Sequence, residues 1–185
     1  MLQLLSIVVV GIAVALMLIS PEMVLIFGSP KYREAVYVIP PVAASVFFIF
    51  IYNILSMPQF YYEKTQFLMA ASMAAAGANV VLNFIFIRLF GYIAAGYTTL
   101  ACYMLYSVGH YIVSKQILVN EGIQENLMNP GFLLACSVFL IGASIICNLI
   151  FPYRILRYAI LLASAGLVFW KKELLLKTMA DIRKK

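Results

Sequence analysis

Long apolar runs follow one another along this chain, and its acids and bases gather between them and after the last. A hydrocarbon layer of roughly 30 Å needs about 20 mostly apolar residues in a helix. Inside that layer no water meets the backbone, so every N–H and C=O must be satisfied within the segment, as a helix does. The runs therefore predict an all-α, polytopic membrane protein with about six transmembrane helices, at about 2–19, 34–57, 66–87, 92–119, 131–151 and 155–170. Composition agrees: 65% of residues are hydrophobic and 11% charged, against about 25% charged in a soluble domain.

Local signals punctuate the runs. The first lacks a basic leader and a small-residue cleavage site, so it reads as a span rather than a signal peptide. It opens with no flanking loop, which leads us to expect a section of a longer protein. Pro21 is expected to close it, with Pro21 to Ala35 as a connection. Ser29-Pro30 suits a helix start, with serine as cap and proline at the first helical position. Pro40 and Pro41 fall inside the second span, where a missing donor and a steric clash predict a bend. That bend can be a static kink or a hinge, so Pro40 and Pro41 are the hinge candidates. A tight turn is predicted at Arg88–Gly91, and Asn129-Pro130 should cap the fifth span. Beyond residue 170, Leu175, Met179 and Ile182 share one helical face among lysines and arginines. Residues 171–185 thus read as a basic amphipathic cytoplasmic tail lying on an anionic membrane surface.

Charge sets the expected orientation. Six spans put both ends on one side, together with Lys64, Lys115 and the six bases of the tail. Lys31, Arg33, Arg88, Arg154 and Arg157 fall on the other. The excess of bases on the cytoplasmic side then places both termini in the cytoplasm. The net charge of +6 forms no soluble basic, aromatic-rich patch, so no nucleic-acid partner is expected.

Chemistry-bearing residues are sparse. The acids, including Glu22, read as lying in or beside loops, and proton- or sodium-coupled carriers usually need an ionisable group within the membrane. His110 is the single histidine and reads as a polar residue near the interface; one histidine cannot make a metal site alone. Cys102, Cys136 and Cys147 lie within apolar runs without metal or disulfide spacing, and no catalytic motif occurs. We therefore expect no enzyme, no catalytic residues, no cofactor and no metal. What remains are small polar side chains inside spans: Ser45, Asn53, Ser72, Asn79, Asn83, Thr98, Thr99, Ser107 and Asn148. Asn79 and Asn83 stand four apart, on one helical face that Ser72 and Ala76 continue. An unpaired amide in hydrocarbon costs several kcal/mol, roughly, so this stripe should face protein or water. Asn53, Asn79 and Asn83 are candidates for a substrate pathway; interhelical hydrogen bonding is the other reading. Ala94, Ala95 and Gly96 read as a close-approach surface for a neighbouring helix.

Two stretches carry a resemblance. GANVVLNFIFIRLFGYIAAGYTTL is similar to the paired-asparagine helix, FG turn and following helix start of polysaccharide flippases, the Wzx-like O-antigen and teichoic-acid exporters. These belong to the multidrug, oligosaccharidyl-lipid and polysaccharide exporter superfamily. ISPEMVLIFGSPKYREAVYVIPPVAASVFF and the EKT before the third span match the same pattern, and the likeness covers about Ile19 to Ile117. Arg88 departs from it, standing where a proline is frequent. The resemblance implies two lobes of helices around a cavity that alternately faces each side of the bacterial inner membrane, moving lipid-linked oligosaccharide. This chain would be part of the second lobe, the C-terminal portion, lacking the N-terminal lobe as a partner and inactive alone. Two other readings stay open: a fragment of a multidrug or cation exporter of that superfamily, and a non-transporting membrane subunit of a polysaccharide assembly complex.

Overall fold

A computed structural model describes residues 2–123 and 127–170, and the tail expected at 171–185 lies outside them. The described residues are helical: α1 (Leu2–Phe27), a 3-10 segment (Pro30–Tyr37), α2 (Ile39–Tyr61), α3 (Gln66–Phe90), α4 (Ala94–Asn120), α5 (Pro130–Ile150) and α6 (Arg154–Trp170). Four of them, α1, α2, α3 and α5, are long and apolar enough to cross a membrane. The last turns of α4 carry His110, Ser114, Lys115 and Gln116, and the described part of α6 is 17 residues.

Pro21 does not end α1, which continues through it to Phe27. A proline leaves the carbonyl four residues back without its donor. Here that carbonyl belongs to Met17, and the buried Ser20 hydroxyl donates to it at 2.8 Å. The connection is thereby shortened, and Glu22 becomes a helical residue rather than a loop one. Pro40 and Pro41 lie at the start of a helix rather than inside one. They sit in the first turn of α2, where backbone donors have no helical partner in any case. The kink falls earlier, inside the 3-10 segment, where Tyr32 leaves helical geometry at φ −103 and ψ 18. Ser29 occupies the cap position before Pro30, but its side chain makes no capping bond. Other helix ends shift by a few residues: α2 runs to Tyr61 rather than 57, and α3 to Phe90, through most of the turn expected at Arg88–Gly91. Gly91 ends α3 at φ +76, a value that favours glycine. Asn129 accepts from the N–H groups of Gly131 at 2.9 Å and Phe132 at 3.4 Å.

Helix α2 is the hub. It packs against α1, α4 and α5, and burial of Phe47, Phe48, Ile51, Ile54 and Leu55 builds most of the core with Met17, Leu18 and Leu140. At its N-terminal end α4 comes very close. A Cβ on Gly96 would lie 2.8 Å from Pro41 Cγ and 2.9 Å from the Val38 carbonyl oxygen. Gly96 and Ala94 are buried there as expected, whereas Ala95 is only half-buried. Helix α3 differs from the rest: none of its residues is buried, and it rests chiefly on α4.

An ion pair ties α6 to α1. Arg157, 1% exposed, donates Nη1 to Glu22 Oε2 and Nη2 to Glu22 Oε1, both at 2.9 Å. Nη1 also reaches the Leu18 carbonyl at 3.1 Å, and the Tyr158 hydroxyl donates to Glu22 Oε1 at 2.8 Å.

Gly96→Val should destabilise the protein by about 1–3 kcal/mol, because the clash is with backbone and a proline ring; thermal unfolding in detergent measures it. Glu22→Leu should cost roughly 3 kcal/mol by stranding the Arg157 charge, and adding Arg157→Leu should recover most of that loss. A double-mutant cycle in the same assay reads the difference.

Candidate polar groove between the third and fourth helices

Alanines set the geometry of this site. Along α3, Ala71, Ala74, Ala75 and Ala78 face α4, so the two helices meet through short side chains and leave space beside the contact. On the α2 side that space is a cavity of about 480 Å³, lined by Tyr52, Ser72, Ala75, Ala76, Asn79, Val80, Thr99, Cys102, Tyr103 and Tyr106.

The asparagine stripe behaves as its spacing requires. Asn83 Nδ2 donates to Asn79 Oδ1 at 2.9 Å, and the Thr98 hydroxyl of α4 lies 2.5 Å from Asn83 Oδ1. Asn83 therefore uses its amide to hold α3 on α4, and Asn79 lines the cavity with its own oxygen already accepting. Farther along, the Ser72 and Tyr106 hydroxyls are 2.7 Å apart. Two polar links thus bracket the cavity. Asn53 is not part of it: it is exposed on α2 and donates to the Ile49 carbonyl of its own helix at 2.7 Å. The structure brings Asn79 and Asn83 together and leaves Asn53 outside.

The tyrosines were not singled out in the sequence. Tyr52 stacks on Tyr103 with centroids 6.3 Å apart and leans on Tyr106 at 4.6 Å. Spacing could have found part of this wall, since Thr99, Cys102, Tyr103 and Tyr106 recur at helical intervals on α4. Only the fold could bring Tyr52 to them.

Behind this wall lies a second polar cluster. His110 is 0% exposed, packed between helices. Its Nδ1 lies 2.9 Å from Gln59 Nε2 and 3.2 Å from Gln59 Oε1. Gln59 Nε2 also donates to Ser114 Oγ at 3.2 Å, and the Ser114 hydroxyl donates to the Leu55 carbonyl. Elsewhere Asn148 Nδ2 donates to the Tyr97 hydroxyl at 2.8 Å, joining α5 to α4. Among the described residues no group of histidines, cysteines and acids could hold a metal ion. No protein-family model, curated protein or solved structure matches the chain.

An amide, several hydroxyls and stacked phenol rings on one concave surface can bond hydroxyl groups and cover apolar ring faces at once. Thr98→Val keeps the shape but removes the donor to Asn83. It should lower the melting midpoint by an amount equivalent to about 1 kcal/mol, and should increase hydrogen exchange in α3 more than in α2, by mass spectrometry.

Proposed function

We propose that this chain is the C-terminal part of a transporter that flips lipid-linked oligosaccharide across the bacterial inner membrane for polysaccharide biosynthesis. In this reading about six helices cross the bilayer, with both termini cytoplasmic, and they form part of the second lobe. The observation that carries it is the cavity where Asn79 meets the rings of Tyr52, Tyr103 and Tyr106. Sugars offer hydroxyls for the amide and C–H faces for the rings, and a membrane-embedded surface of this kind suits a polar head drawn through apolar surroundings. The resemblance over Ile19 to Ile117 supports the same reading. An N-terminal lobe would supply the wall facing the groove, and the transport step would be a rocking of the two lobes. Glu22 adds no support for the cation-exporter reading, since both carboxylate oxygens are engaged by Arg157 and Tyr158.

In a strain lacking its polysaccharide flippase, the chain alone should leave surface polysaccharide absent. Co-production with the first lobe of such a flippase should restore it. Asn79→Leu should then cut export about tenfold, as loss of one substrate hydrogen bond of about 1.4 kcal/mol would. Restoration by the chain alone would overturn the half-carrier reading. An active pair indifferent to Asn79→Leu would remove the cavity from the path.

A further inference from the structure

The third and fourth helices meet the second at one imidazole. Around His110 stand Tyr52 and Gln59 of α2, Phe67 of α3, and Tyr106 and Ser114 of α4. The ring lies 5.8 Å from Tyr52, 5.5 Å from Phe67 and 4.5 Å from Tyr106, centroid to centroid. Its Nδ1 is engaged by Gln59, and its buried Nε2 has no hydrogen-bond partner among the described residues. In either tautomer Nε2 is the open position. It is a bare lone pair if Nδ1 donates to Gln59 Oε1, and an orphan N–H if Nδ1 accepts from Gln59 Nε2. No carboxylate, ammonium or guanidinium is among these contacts. The nearest charges along the chain, Glu63, Lys64 and Lys115, are on exposed side chains. The titratable neighbours are the phenols of Tyr52 and Tyr106, which also line the cavity.

We propose that His110 is a proton-binding site that governs how α3 closes over the polar groove. A proton added to the neutral ring makes both nitrogens donors. Nδ1–H is then satisfied by Gln59 Oε1, while Nε2–H and the positive charge have no partner where they stand. A charge without a partner or water is expensive to bury. The stacked Tyr52 ring offsets part of that cost by cation–π attraction, and hydration from the neighbouring cavity supplies the rest. Water reaches the ring only if α3 moves off, because Phe67 covers one side and the Ser72–Tyr106 link holds the next turn. Helix α3 has no buried residue to resist this. Loss of the proton lets the ring return to its dry contact and the groove close. Proton binding at His110 would thus be read out as opening of the α3–α4 groove.

Because the chain contains one histidine, histidine-selective ¹³C/¹⁵N labelling of the full chain in lipid bilayers gives a single imidazole spectrum. Lowering the pH from about 8 to about 4, which brackets the ordinary histidine range, should convert it from neutral to doubly protonated. Over the same interval, exchange protection of α3 amides, corrected for intrinsic rates, should fall several-fold. His110→Gln should abolish that pH dependence. A ring that stays neutral throughout, or that titrates while α3 protection holds constant, would overturn the proposal. So would a His110→Gln protein that keeps the wild-type pH response.

Discussion

A polar group without a partner in hydrocarbon costs several kcal/mol, roughly, and the placement of nearly every polar side chain here answers that constraint. The cheapest answer is local. Ser6, Ser45, Ser56, Ser107 and Ser137 each donate to a carbonyl three or four residues back on their own helix, and Asn53 does the same. These side chains need nothing from a neighbouring helix and say little about packing. The Ser20 bond to Met17 serves a further purpose, since it satisfies the carbonyl that Pro21 deprives and keeps α1 helical for another turn. That turn brings Glu22 within reach of Arg157.

Several other polar groups bond between helices. Between α1, α2 and α5 the contact is carried by Met17, Leu18, Phe47, Ile51 and Leu140, so no polar link is needed. Between α3 and α4 the alanine face offers few van der Waals contacts. There the helices are joined by Thr98–Asn83 toward one end and Ser72–Tyr106 toward the other. Small residues and polar bonds are the usual means of helix association in lipid. Their consequence here is a cavity between the two links, because two short bonds fix a separation that alanines do not fill.

The parts legible in the sequence are those governed by local rules. Hydropathy located the helices, Gly91 and Asn129 marked boundaries by backbone conformation and capping, and the four-residue spacing of Asn79 and Asn83 implied their contact. Proline was misread twice for one reason. Its effect depends on whether the donor it lacks was needed, and that depends on Ser20 at one site and on the position of the helix start at the other. The site itself was half legible. Asn79 and Ser72 announce a polar stripe, but Tyr52 joins it from another helix. Gln59 and His110, separated by 51 residues, meet only because α2 and α4 run side by side. Asn53 looks like Asn79 in the sequence and differs only in which way its helix face is turned.

These contrasts divide the bundle into a stiff part and a yielding one. Arg157 fastens α6 to α1 through two parallel charge-assisted bonds, the strongest geometry available to such a pair. The α1–α2–α5 core beside it is apolar. Opening either would strand a charge or expose large side chains. Separating α3 from α4 would break a few neutral hydrogen bonds and would expose no buried α3 residue. Elements with few buried contacts have the lowest free energies of local opening. The same alanines that leave room for the groove therefore leave its outer wall held by little beyond those few bonds.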